Sequence, residues 1–100
     1  MRAWVYILTC ADGHYYVGSY RGDDPAVRVS QHNDGLDPKA WTYKRRPVTL
    51  AWATEFQRVT DAIAFERQIK VWSRAKKEAL IRNDWAALPA LARAYSRREV

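Results

Sequence analysis

Two β-prone tripeptides around one short turn constrain this chain more than any other stretch. Val5-Tyr6-Ile7 and Tyr16-Val17-Gly18 flank Ala11-Asp12-Gly13, a turn signal between runs of β-branched and aromatic residues. Register decides what such a hairpin does with its tyrosines. A two-residue loop of Asp12-Gly13 pairs Cys10 with Tyr15 and sends Tyr6 and Tyr16 to opposite faces of the sheet. A three-residue loop, with Gly13 left-handed and a G1 bulge, pairs Leu8 with Tyr16 and Tyr6 with Gly18. Tyr6 and Tyr16 then become diagonal neighbours on one face, about 7–8 Å apart at the backbone. The three-residue loop is the expected one, because it alone brings the two phenols together.

The 100 residues suit one small domain, and 48% hydrophobic residues with 5 Trp and 6 Tyr supply one core and argue against disorder. The net charge is +6, from 17 Lys and Arg against 11 Asp and Glu. Clustered cations with interleaved aromatics point to a nucleic-acid partner. Cys10 is the single cysteine, so an intramolecular disulfide and a Cys-rich zinc site are excluded, and a reducing, cytoplasmic setting is expected. No secretory signal is expected at the N-terminus, and no apolar run reaches membrane-spanning length.

The first strand, about Ala3 to Cys10, is apolar on both faces and reads as central; the second runs from about Tyr15 to Tyr20. Asp24 and Pro25 open a helix to about Asn33, with Gly35 as its stop. Leu36 to Pro47 reads as a long irregular connection, followed by a third strand from Val48 to Phe56. Thr60 and Asp61 are expected to cap a helix to about Trp72, with Ala62, Phe65, Ile69 and Trp72 as its core stripe. Ser73 caps a further helix to about Arg82, Asn83-Asp84 breaks it, and a last helix follows. The expected fold is α+β, a small antiparallel three-stranded sheet flanked by helices in the order β-β-α-β-α-α-α. Residues 1–83 form the domain and 84–100 a helical extension of it.

Phosphodiester hydrolysis needs an activated water, cations for the charge growing on phosphate oxygens, and a stabilised leaving oxygen. Arg28 and His32, four apart, share a helix face, where a guanidinium fits phosphate and an imidazole carries protons. His32 can equally be a helix-end cation beside the C-terminal dipole. Glu66 is a candidate Mg²⁺ or Mn²⁺ ligand, since magnesium is often held by one or two carboxylates plus water and phosphate. Its bland alternative is an i,i+4 ion pair with Lys70, worth about 0.3–0.5 kcal/mol. Lys39, Lys44, Arg45 and Arg46, mixed with Trp41 and Tyr43, suit backbone phosphates and base stacking.

Tyr6 and Tyr16 ten residues apart, the Arg-x-x-x-His element at Arg28 and His32, the basic run Arg45-Arg46-Pro47, the Glu66 helix and the Lys-rich helix Arg74-Ala75-Lys76-Lys77 together resemble the GIY-YIG nuclease family. Val5 stands where the family name has Gly, and Val17 where it has Ile. The segment from Gly18 to Arg28 is about two residues longer than in close relatives. The resemblance covers about Ala3 to Arg82 and implies a small antiparallel sheet flanked by helices. It implies a metal-dependent endonuclease, related to the incision subunit of nucleotide-excision repair and to homing endonucleases. Glu66 then binds the metal, Arg28 contacts the scissile phosphate, and Tyr6 or Tyr16, with Tyr6 preferred, activates or orients the water. A tyrosine serves as base only if its pKa, about 10, is lowered; Arg28 and a lysine are expected to do that. For the late catalytic Asn of the family, Asn83 qualifies by position alone. DNA is the implied substrate, with RNA open, and specificity is expected from a homodimer or a partner protein. The rival reading is a DNA- or RNA-binding module without cleavage. A third is a protein-interaction domain facing an acidic partner.

Overall fold

Gly13, at φ 87°, turns the first hairpin, and the Cys10 amide donates to the His14 carbonyl at 2.8 Å to close a three-residue loop. That loop fixes the expected register: Leu8 pairs with Tyr16 and Tyr6 with Gly18. The computed structural model describes residues 2–84. Its strands β1 (Ala3–Thr9), β2 (Tyr15–Arg21) and β3 (Thr49–Phe56) form one antiparallel sheet in the order β2-β1-β3. The doubly apolar first strand is therefore the central one, as its two-faced pattern requires.

Helix α1 (Pro25–Asp34) starts as its sequence dictates. The Asp24 side chain accepts from the Ala26 amide, Pro25 occupies the first turn, and Gly35 at φ 67° ends the helix. Helix α2 (Val59–Lys70) departs from expectation at its start. Thr60 and Asp61 lie inside its first turn rather than capping it, and Arg58 holds the cap position with no side-chain hydrogen bond. The Ala62 amide reaches the Arg58 carbonyl at 3.2 Å, so the helix is already under way before Thr60. Helix α3 (Arg74–Ile81) is capped by the Ser73 hydroxyl, which accepts from the Lys76 amide. Its end is a Schellman pair: Asn83, at φ 59°, bonds back to Leu80, and Asp84 to Ala79. The connection expected to be irregular contains a 3-10 turn, Tyr43–Arg45. Beyond Asp84, the expected extension over 84–100 and its last helix lie outside the described residues.

Each face of the sheet carries its own cluster. Val5, Ile7 and Val17 meet Ala62, Phe65 and Ile69 of α2, Trp72 just past it, and Ala79 and Leu80 of α3, so the expected stripe is the main core. On the other face Tyr6, Leu8, Cys10 and Val48 are buried with Tyr16, Tyr20 and Val29 around them. Cys10 is a free, buried thiol just past β1, and burial pushes its pKa up. Among the described residues no helix is long and apolar enough to cross a membrane.

Phe65 is the hub of the main core: its ring meets Trp52 at 6.1 Å, Phe56 at 5.4 Å and Trp72 at 6.5 Å. Phe65→Ala is expected to destabilise the fold by about 3–5 kcal/mol, a large share of the total for a domain of this size. Urea unfolding of the two proteins measures it, and a loss under about 1 kcal/mol would contradict the packing described.

Candidate active site

The smaller cluster holds polar chemistry rather than only apolar side chains. Tyr6 projects from the central strand and is almost fully buried, and the Tyr16 ring lies 6.4 Å away, centre to centre. Gly18 makes this possible. A Cβ at that position would sit 2.5 Å from Tyr6 Oη and 3.0 Å from the Tyr16 ring, so any side chain there collides with both phenols. The glycine is required here by close approach, not by its backbone angles.

The last turn of α1 delivers His32 to the same place. Its Nε2 lies 3.2 Å from Tyr6 Oη, and its Nδ1 lies 2.8 Å from Thr42 Oγ1. The Tyr16 ring meets the imidazole edge-on at 5.4 Å. His32 and Thr42 are the two buried polar residues among those described. Burial, with the Arg28 charge second, pushes the His32 pKa below its usual value, so the ring is neutral at pH 7. It is not the helix-end cation that its position in the sequence allowed. Thr42 has no counterpart among the residues picked out from the sequence. Only the fold of the loop carries it to the histidine.

Arg28, one turn before His32 on α1, acts on the Tyr6 phenol through its charge. It also donates to Gln31 Oε1 at 3.1 Å. The expectation that cations lower the Tyr6 pKa fails. Burial pushes it up to about 12, Tyr16 and Glu66 add to the rise, and Arg28 offsets only part of it. Tyr6 is therefore a neutral phenol at pH 7, not a phenolate base.

Glu66 comes from α2, in the opposite layer, yet its charge is felt at Tyr6. Lys70 Nζ lies 2.9 Å from Glu66 Oε2, and the carboxylate is only 15% exposed. That hydrogen bond raises the Lys70 pKa. An open groove of about 170 Å³ runs beside this pair, lined by Tyr15, Tyr16, Val17, Trp41, Lys70 and Lys77. Among the described residues no group of three or more His, Cys, Asp or Glu could hold a metal ion. The donor set still fits magnesium, which accepts a single carboxylate when water and substrate phosphate fill the remaining positions. Lys70 already places a cation on that carboxylate.

The basic loop divides. The Arg45 guanidinium stacks 3.9 Å above Trp41, pairs with Asp12 Oδ2 at 3.1 Å and donates to the Trp41 carbonyl. Trp41 in turn stacks on Tyr16 at 5.9 Å. Arg46 lies 4.1 Å over Tyr43 and donates to the Tyr43 and Asn33 carbonyls. Both arginines build the loop. Lys39 and Lys44 are exposed on its outside. Asn33 is a further structural residue: its amide clamps both backbone groups of Val48, at 2.7 and 2.9 Å. Asn83 ends α3.

The fold is a small antiparallel sheet with helices on both faces, and two phenols, an imidazole and a guanidinium gather on one of them. The chain belongs to the GIY-YIG catalytic domain family, whose model matches residues 2–79. Its relatives include a UPF0213 protein of Halobacterium salinarum, 43% identical over 76 residues that make up 76% of this chain and 95% of that protein. A UPF0213 protein of Staphylococcus aureus is 38% identical over 79 residues, 79% of this chain and 93% of the relative. Two solution structures share the fold. The UPF0213 protein BH0048 from Bacillus halodurans matches at a TM-score of 0.51 and 34% identity, over 81% of this chain and 83% of its own. The protein EF2693 from E. faecalis matches at 0.57 and 28%, over 89% and 92%.

Gly18→Ala is expected to cost about 1–3 kcal/mol, as overpacking does, and to shift the ring resonances of Tyr6 and Tyr16. A variant as stable as the parent, with both rings unmoved, would contradict the close approach. A second expectation concerns alkaline pH. The folded chain keeps the Tyr6 proton above the pH, about 10, at which an unfolded tyrosine loses it. The stability this supplies is intact below pH 10 and is lost as the pH rises through about 12. Ultraviolet titration should find one tyrosine ionising near pH 12, and Tyr6→Phe should remove that step.

Proposed function

We propose that the chain is a divalent-metal-dependent endonuclease acting on nucleic acid, with DNA the favoured substrate. The observation that carries this reading is the convergence of Arg28 and His32 on the buried Tyr6 phenol, with Tyr16 beside it and the Glu66 charge within its range. Glu66 holds Mg²⁺ or Mn²⁺, and the ion supplies neutralisation of charge on the phosphate and the leaving oxygen when bound.

Tyr6 moves the proton. Its O–H passes to His32 Nε2 as its oxygen takes a proton from the attacking water, so the phenol ends neutral and the imidazole ends charged. A relay of this kind needs no phenolate, which suits a pKa of about 12. It needs a neutral imidazole, which burial of His32 provides. The Arg28 charge reaches the phenol. Turned to a phosphate, a planar bidentate match, its guanidinium steadies the scissile group beside the Tyr6 oxygen. Tyr16, half-buried beside Tyr6, forms the wall against which that water is held. Lys70 and Lys77 line the adjoining groove and meet the backbone of the substrate, with the exposed Lys39 and Lys44 further out. The one centre cuts one strand, and a homodimer or a partner protein would direct it to a site or a second strand.

The rival reading, a binding module without cleavage, draws on the Glu66–Lys70 pair, which already neutralises the carboxylate. A nicking assay on supercoiled plasmid in Mg²⁺ or Mn²⁺ separates the two. Relaxation that vanishes with EDTA and in Glu66→Gln is expected. Tyr6→Phe and Arg28→Ala should each slow cleavage by about 10²–10⁴-fold. Salt-sensitive binding without cleavage, unchanged by EDTA or Glu66→Gln, would instead establish the binding module.

A further inference from the structure

Among the described residues, Thr42 is the one fully buried polar side chain that the proton path above leaves unused. Its hydroxyl lies 2.8 Å from His32 Nδ1, on the far side of the ring from Tyr6. A neutral imidazole has one donor and one acceptor nitrogen, so two arrangements exist. In the first, Nδ1–H donates to Thr42 Oγ1, and bare Nε2 accepts the Tyr6 proton. In the second, the Thr42 hydroxyl donates to Nδ1, and Nε2–H donates to the Tyr6 oxygen.

The Tyr6 proton decides between them. The buried Tyr6 hydroxyl has one hydrogen-bond partner among the described residues, His32 Nε2. In the second arrangement the Tyr6 oxygen accepts from Nε2–H, and its own proton is left without an acceptor. In the first, both bonds are matched: Tyr6 to His32 and His32 to Thr42. The Thr42 proton also has an outlet. A cavity of about 60 Å³ lies against His32 and Thr42, between Arg28 and Tyr43, with room for water. We propose that Thr42 is a positioning residue that fixes His32 as the Nδ1–H tautomer, leaving Nε2 as the proton acceptor for Tyr6. A histidine's tautomer follows from the hydrogen bond its other nitrogen makes.

The inference deepens the proton path above, yet the tautomer can be read without catalysis. Long-range ¹H–¹⁵N NMR of the ¹⁵N-labelled chain near neutral pH distinguishes the two nitrogens of His32, with exposed His14 as an internal comparison. Wild type, Thr42→Ser and Tyr6→Phe are expected to carry the proton on Nδ1, and Thr42→Val to shift it to Nε2. A wild-type spectrum with the proton on Nε2 would overturn the proposal. So would a Thr42→Val spectrum like the wild type, or a Tyr6→Phe spectrum that flips, since Tyr6 would then set the tautomer. Where plasmid is nicked, Thr42→Val should lower kcat by about 10- to 100-fold with KM unchanged, and Thr42→Ser should restore it. A wild-type chain that never nicks defeats the nuclease reading, while the spectra still decide what Thr42 does.

Discussion

The absence of one Cβ governs the candidate site. Tyr6 leaves the central strand and lays its phenol across Gly18 of the neighbouring strand, in space that any other residue would fill. Because Gly18 pairs with Tyr6, the tyrosine two residues earlier on β2 falls on the same face, and its ring completes the pair. The three-residue turn with Gly13 in the left-handed region sets that register, and a slip by one residue would send Tyr16 to the other face. Turn, glycine and phenols are thus one geometric unit. His32 then packs onto the phenol it forms, and Thr42 onto His32.

Burying a phenol, an imidazole and a hydroxyl together is costly unless each is hydrogen-bonded. The fold places this polar chain in the smaller cluster and leaves the larger one almost wholly apolar. Phe65, Ile69 and Leu80 therefore supply hydrophobic stabilisation on one face of β1 while Tyr6 and His32 keep a precise polar arrangement on the other. A central strand that is apolar on both sides allows the division. It also explains the high Tyr6 pKa: the packing that positions the phenol removes it from water, and burial outweighs the neighbouring guanidinium.

Much of this was legible in the sequence, because local physics fixes it. Asp24-Pro25 and Gly35 bound α1, Ser73 caps α3, and the stripe from Ala62 to Trp72 marks the buried face of α2. Spacing allowed two turns, and the three-residue one, expected because it alone puts both tyrosines on one face, is the one the register shows. The start of α2 was not legible, since the best capping residues, Thr60 and Asp61, fall in its first turn behind Arg58. Nor was the role of the loop. Arg45 and Arg46 read as phosphate contacts by composition, yet each lies over an aromatic ring and bonds a backbone carbonyl. Thr42 gave no signal at all, because its partner is ten residues away on another element. The pKa of Tyr6 was misjudged for the same reason: nearby cations can be read from a sequence, and the depth of burial cannot.

The use of Arg45 and Arg46 as scaffold changes where charge meets a substrate. Both guanidinium stacks stiffen the segment that carries Trp41, Thr42 and Tyr43, so the loop's cations hold the wall of the site. Positive charge close to the phenols then comes from Arg28 of α1 and from Lys70 and Lys77 of the opposite layer. Lys70 is the adjustable member. Its pair with Glu66 is an i,i+4 contact in which the lysine is half exposed and the carboxylate mostly buried. Exchanging that ammonium for a divalent ion would keep a cation on the carboxylate. Glu66 lies outside both core clusters, whereas Tyr6 is built into one with Gly18 against its ring. On the proposed reading, metal binding is separable from folding in this chain, and the proton path is not.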